Sequence, residues 1–280
     1  MSGVSNIGKI SWSAYKMYDD CPLAYKKQYI EKIKSKDDEY NSLGGKIIQR
    51  VFELFYNDEI WRRGSETLKE LESIFDQESE YIIKKSKADW SIDGRSPEKL
   101  KAQLKPLIKS ILKMIIDEKL LGSYSKAEVK LQAWIDKVLI FGIADFIIRK
   151  DNEMIILDGK LTKHRDKYLK RDQLVWYAMI YYLQHQVEIN KLGWIYYTYG
   201  EVSWVDIDRN DLVRLHKSVK STLKSIQDEN FESAPSQDTC KFCNFRDTCS
   251  DVYTDTPTVK KKRSKGVSSA LLEDSSEVSF

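Results

Sequence analysis

The sequence predicts a mixed α/β domain: a helical portion, a strand meander beginning after Gly122, and helices interleaved with two further strands. Helical spacing of apolar residues before Gly122 supports the first part, and three short β-branched, aromatic-rich runs after it support the second. The irregular order of helices and strands excludes a Rossmann repeat.

The opening segment carries Trp12, Tyr15, Tyr18, Leu23, Tyr25 and Tyr29, broken by Cys21-Pro22, and reads as two short helices with the cysteine at their junction. Residues 41–61 place Leu43, Ile47, Val51, Leu54 and Phe55 on one helical face, and residues 65–85 repeat the period more weakly. Ser96-Pro97 opens another helix lined by Leu100, Leu104, Leu107, Ile108, Ile111 and Ile115, which Pro106 is expected to kink. AEVKLQAWI, VLIFGIADFIIRK and EMIILDGKL are strands, DQLVWYAMIYYLQHQ is a helix, KLGWIYYTYG and VSWVDI are strands, and residues 210–230 form a last helix. One domain over residues 1–253 is expected, with its helical portion at about 37–121 and its sheet at about 122–208. Residues 254–280 lose aromatic content and read as a disordered tail.

With 46 basic and 43 acidic residues among 280, net charge alone does not announce a nucleic-acid binder, so any such groove must come from local clustering. No apolar run reaches the roughly 18–20 residues of a membrane span, and the start lacks the apolar core of a secretory signal. An intracellular setting is expected. There the four cysteines are poor disulfide candidates, and their spacing points to metal binding.

Glu128, Asp145, Asp158 and Lys160 form the chemical constellation, within AEVKLQ, FGIADFII and IILDGKL. Asp158 and Lys160, two apart on a strand, point to one face, and Asp145 lies one meander step upstream. Two acids and a lysine on a buried face are costly unless a divalent cation compensates them. Mg²⁺ keeps several waters, so two or three carboxylates suffice. Such an ion polarises a scissile phosphate and lowers the pKa of a water. Lys160 would orient or deprotonate that water, or simply neutralise charge. The bland alternative places the two aspartates at strand ends or turns and Lys160 in solvent.

On these residues the chain resembles the RecB/AddB-like branch of the PD-(D/E)XK nuclease superfamily, over about residues 10–250. The resemblance implies a restriction-endonuclease-like core, a mixed central sheet flanked by helices. It implies metal binding by Asp145 of the G-x-x-D segment and by Asp158 of D-x-K, with Lys160 as the catalytic lysine. Glu128 corresponds to the preceding acid, and Gln173 and Tyr177 to a glutamine and tyrosine one turn apart on the next helix. Four-residue spacing puts those two on one helical face independently of any family. Many members carry a metal-binding histidine after an early L-G motif. Here LGGKIIQR puts Gln49 in that place, a weaker ligand that would change the metal preference.

Cys240-x2-Cys243-x5-Cys249 and the distant Cys21 make a one-plus-three set of thiols that can hold zinc or an iron–sulfur cluster, although zinc more usually pairs two local C-x2-C knuckles, which this chain lacks. The split resembles the AddB-type clasp, which implies a [4Fe-4S] cluster tying the two chain ends together in a structural role. Between the lysine strand and its helix, Lys163, Arg165, Lys167, Lys170 and Arg171 cluster with His164 and Tyr168, a pattern that neutralises phosphates and stacks bases, or merely solvates a loop. In the tail, KKKRSK at 260–265 adds DNA affinity or a localisation signal. The acidic end closing on Phe280 resembles the docking tip of single-stranded DNA-binding proteins, which implies a replication or recombination partner. Both tail features also fit a solvating segment.

The expected function is thus a Mg²⁺- or Mn²⁺-dependent DNA nuclease, an exonuclease directed to single strands or ends in recombination, repair or replication. The rival expectations are a catalytically weak DNA-end-binding adaptor and a zinc-stabilised interaction module.

Overall fold

A computed structural model describes residues 7–33, 39–165 and 171–254. The tail features at 260–265 and Phe280 therefore lie outside the described residues, as do Lys167, Tyr168 and Lys170. The chain opens with a three-residue strand β1 (Lys9–Ser11), then α1 (Trp12–Asp20) and α2 (Pro22–Tyr25), which continues as a π-turn over Lys26–Ile30. Ser11 caps α1 by accepting a hydrogen bond from the Ala14 amide, and Cys21 is the extended residue between α1 and α2.

The helical portion comprises α3 (Tyr40–Asn57), a 3₁₀ segment at Ile60–Glu66, α4 (Thr67–Lys85) and α5 (Pro97–Asp117). Ser96 caps α5 through the Lys99 amide with Pro97 at its first position, and the helix continues through Pro106 unbroken. Next come β2 (Tyr124–Ile135), β3 (Val138–Lys150), β4 (Glu153–Lys160), α6 (Asp172–His185), β5 (Lys191–Tyr196), β6 (Glu201–Val205), α7 (Arg209–Gln227) and the short α8 (Gln237–Lys241).

The six strands form one mixed sheet. β2 runs antiparallel along the whole of one edge of β3, from Ile135–Val138 to Tyr124–Arg149. β1 and β4 therefore share the other edge. β1 pairs in parallel with Leu139–Phe141, and β4 pairs antiparallel with Phe146–Lys150. Gly142 to Asp145 are left between them without a strand partner on that edge. β5 adds to β4 in parallel, and β6 adds to β5 antiparallel.

Apolar residues leave the sheet on both faces, so the molecule has two hydrophobic layers. One packs α1, α6 and α7 against Leu131, Ile140, Ile147, Ile156 and Trp194. The other packs α3, α4 and α5 against Phe146, Ile148, Ile155, Leu157 and Tyr197. Residues 174–180 of α6 are all buried, so this helix lies deep in its layer. The segments following α1 and α7 meet. Tyr25 stacks on Phe231 with ring centroids 6.3 Å apart, and the Tyr18 hydroxyl donates to the Asn230 carbonyl.

Candidate metal and nuclease centre

Three carboxylates stand side by side across three strands. Ala127 pairs with Phe146 and Val129 with Ala144, so Glu128 faces Asp145 at the step where the regular pairing is interrupted. The β3–β4 ladder ends at Phe146–Leu157, and one residue beyond on each strand come Asp145 and Asp158. Glu128 makes this row at φ 53°, a left-handed conformation in the middle of a strand, which a residue with a Cβ adopts only under local strain.

Each acid is held by a neighbour from a different element. The Gln49 side-chain amide on α3 donates to Glu128 Oε1 and to Asp145 Oδ1, the latter at 2.9 Å. Asp145 Oδ2 accepts the Gly159 amide at 2.8 Å, where β4 has left β3. Asp158 Oδ1 accepts from Gln173 Nε2 at 2.9 Å, and Gln173 Nε2 also lies 3.1 Å from the Tyr177 hydroxyl. Asp158 Oδ2 forms an ion pair with the Lys160 ammonium without hydrogen-bond alignment. That ammonium also sits 5.2 Å from the centre of the Trp194 ring. The four-residue spacing of Gln173 and Tyr177 thus turns both toward the acids, and Tyr177 packs where a side chain on Gly142 would stand 2.8 Å from its ring.

Burial pushes all three carboxyl groups above the ordinary carboxylate range. For Asp145 the burial effect is joined by the Asp158 charge and opposed by the Gly159 amide and by Lys160. For Asp158 burial is opposed by Lys160, and for Glu128 by the Gln49 amide. Burial likewise raises Tyr177. Three acids whose ionised forms are disfavoured by their surroundings make a site that gains from a cation. The donor set suits Mg²⁺ or Mn²⁺, which bind through one or two carboxylates and keep several waters. Among the described residues, however, no three His, Cys, Asp or Glu side chains are gathered into a ready cage for an ion. The Gln49 amide lies between the two acids that would share one.

The cysteines are brought to one region in part. Cys21 joins α1 to α2, Cys240 lies in α8, and Cys243 and Cys249 follow it; all four are free and partly buried. Lys27, six residues after Cys21, donates to the carbonyl of Thr248 at 3.0 Å and lies over the buried Phe245 ring. The Tyr253 amide approaches Cys240 Sγ at 3.4 Å. The expected four-thiolate cage is not formed: the chain ends meet, but no three of the thiols converge among the described residues.

The basic segment is also partly committed. Arg165 pairs with Glu201 at 2.7 Å and stacks over Tyr199, while the Lys163 carbonyl accepts the Tyr199 hydroxyl. Arg171 makes a two-pronged contact with Asp211 and donates to the Asp206 carbonyl. These two arginines border a cleft of about 460 Å³ together with Trp194, Tyr196 and Ser203. Since Trp194 also lies beneath Lys160, the cleft adjoins the acids. Tyr197 and Trp194 were not singled out from the sequence. The glycine between Asp158 and Lys160 was the available signal, because a missing side chain there makes room for a close neighbour.

A family model for the PD-(D/E)XK nuclease superfamily matches residues 9–250. A crystal structure of a protein from Eubacterium rectale, named as a candidate exonuclease, aligns with a TM-score of 0.53 at 12% identity, covering 88% of this chain and 90% of that one. SSO0001 aligns at TM-score 0.32 and 19% identity over 56% of this chain and 79% of its own. VC1899 from Vibrio cholerae aligns at 0.25 and 11% over 79% and 56%. The first likeness concerns the fold, and the other two carry no weight. No curated protein matches the sequence. No described helix is long and apolar enough to cross a membrane.

Proposed function

Because the chain belongs to the PD-(D/E)XK nuclease superfamily, we propose that it is a Mg²⁺- or Mn²⁺-dependent deoxyribonuclease of the RecB/AddB-like branch, directed to single strands or ends in recombination, repair or replication. The observation that carries this reading is the row Glu128, Asp145, Asp158 with Lys160 paired to its last member. Asp145 and Asp158 would hold the ion, with Glu128 supporting it from the neighbouring strand. When bound, the ion supplies Lewis acidity to the scissile phosphate and to a water. Lys160 sits beside Asp158 and orients that water or neutralises charge as the phosphate enters. Gln173 fixes the Asp158 rotamer, and Tyr177 packs over Gly142 behind Asp145. The cleft bounded by Arg165 and Arg171 supports a single-strand substrate through its exposed ring, Trp204, since base stacking tolerates any sequence.

The test is digestion of labelled single- and double-stranded DNA and RNA, with and without Mn²⁺, by wild type, Asp158→Ala and Lys160→Ala. Wild type cuts DNA only with the ion, and each variant loses at least about 10²-fold in rate. Equal cutting by all three proteins removes the assignment. A second reading, an end-binding adaptor of the same fold, is favoured by one observation, the Gln49 amide between Glu128 and Asp145. It predicts retention of DNA ends without hydrolysis by wild type.

We also propose that Cys21, Cys240, Cys243 and Cys249 bind a structural [4Fe-4S] cluster. Support comes from four free thiols on the two segments that Lys27 and Thr248 join. Ligation requires the thiols to draw together from their present positions. Protein purified without oxygen then carries about four iron atoms and absorbs near 400 nm. Stoichiometric zinc in place of iron assigns the clasp to zinc.

A further inference from the structure

Directly after β5, Tyr197 enters the layer of α3–α5 from below the active strand, and its amide extends the β4–β5 ladder by donating to the Lys160 carbonyl at 3.0 Å. The side chain is 1% exposed, and its hydroxyl has no hydrogen-bond partner. A Cβ on Gly159 would stand 1.9 Å from that hydroxyl, so the D-x-K strand reads Asp-Gly-Lys because Tyr197 occupies the space of the middle side chain. The same Gly159 peptide donates to Asp145. Burial raises the Tyr197 hydroxyl above its usual range, and the negative charges of Asp145 and Asp158 add to that.

A buried hydroxyl without a partner is destabilising, and phenylalanine would fill the same space without that loss. An unpaired buried donor packed against the Gly159 peptide, whose amide holds Asp145, therefore points to an acceptor that turns toward it in another state of the site. The acid tied to that peptide is Asp145, whose two oxygens are now held by Gln49 and Gly159. We propose that Tyr197 is a positioning residue for the metal centre, its hydroxyl donating to Asp145, directly or through one ordered water, when the ion is bound. Hydrogen bonds behind a ligating carboxylate orient it and raise ion affinity. This inference rests on the metal-nuclease reading and extends it to a residue outside the D-x-K and G-x-x-D segments.

The experiment is Mn²⁺ binding to the full chain, followed by electron paramagnetic resonance of the free ion, for wild type, Tyr197→Phe and Asp158→Ala. Thermal melting is measured in EDTA and in Mn²⁺. Tyr197→Phe is expected to weaken Mn²⁺ binding by about ten- to hundred-fold. Its metal-free melting temperature stays equal to or above that of wild type, because the unpaired hydroxyl is gone. A role in packing alone predicts unchanged Mn²⁺ affinity, and that result overturns the inference while leaving the metal centre intact. Wild type that binds no Mn²⁺ overturns the metal centre and this inference with it. A lower metal-free melting temperature for Tyr197→Phe shows that the hydroxyl already serves the ion-free fold, and overturns it too.

Discussion

Gln49→Leu separates two roles that one side chain could play. The amide spans Glu128 and Asp145 in the ion-free protein, with two hydrogen bonds to acids that face each other across β2 and β3. A hydrogen bond to a charged group contributes about 1.5–3 kcal/mol net, and Gln49 is half-buried, so solvent screens part of each. Leucine keeps the volume and removes both donors. The expected loss in EDTA near pH 8 is about 3 kcal/mol, a fall of roughly 6–12 °C in Tm for a domain of this size. A bound ion takes over the task of holding the two acids together, so in saturating Mn²⁺ the loss shrinks to about 1 kcal/mol or less by the same linkage. If Gln49 is instead an ion ligand, the variant loses ion-free stability only slightly and the deficit grows when Mn²⁺ is added. Melting curves of both proteins in EDTA and Mn²⁺ decide between them. A deficit of equal size in the two conditions refutes the bridging argument.

Gly159→Ala forces a Cβ into the Tyr197 hydroxyl, and overpacking beside a buried ring costs about 1–3 kcal/mol or more; urea denaturation showing no loss would contradict that packing. Glu128→Gly relieves a left-handed residue in mid-strand but gives up the Gln49 contact, effects of about 1–2 kcal/mol each that largely offset, so ion-free stability changes by less than about 1 kcal/mol while Mn²⁺ affinity falls. A lower melting temperature in EDTA would show that the Gln49 contact outweighs the strain. The pH dependence follows from the raised carboxyl groups of Glu128, Asp145 and Asp158. Each favours its neutral form in the folded protein, so the stability this confers is complete below the unfolded value of about 4 and is lost as pH rises through the raised folded values. The ion takes only the ionised forms, so Mn²⁺ affinity and Mn²⁺-induced stabilisation increase over that window. Calorimetry at several pH values in EDTA and Mn²⁺ checks both signs.

The long helices and strands were legible because their apolar residues repeat at the period of the element that buries them. α3 and α5 each present a continuous apolar face, and Ser96-Pro97 marks the start of α5 as capping chemistry demands. β1 was not legible: three residues carry no period, and it is a strand only because β3 offers it an edge beside Leu139–Phe141. Pro106 lies inside α5, which runs on through it to Asp117. In the site, alternation along β4 put Asp158 and Lys160 together, and helical spacing aimed Gln173 at Asp158. Spacing does not reveal register between strands, so the alignment of Glu128 with Asp145 emerged only with the sheet. Nor does it reveal backbone hand, so the left-handed Glu128 was hidden. Gln49 was expected as a weak ligand, and in the ion-free protein it donates to two of the acids. The clasp shows the limit of motif reading, because C-x2-C-x5-C specifies local spacing and leaves the approach of Cys21 to tertiary packing.

The opening between β1 and β4 along one edge of β3 has a mechanical consequence. Gln49 reaches the acids from the layer of α3–α5, whereas Gln173 reaches them from the layer of α6 and α7, and the two arrive at adjacent members of one carboxylate row. A continuous ladder through Gly142–Asp145 would separate those layers by a full thickness of backbone. The fork instead makes the acids a hinge pin common to both, so loosening either helical layer disengages one end of the row. Cleavage activity should then disappear ahead of global unfolding when either layer is selectively destabilised, because the centre requires both to be seated at once.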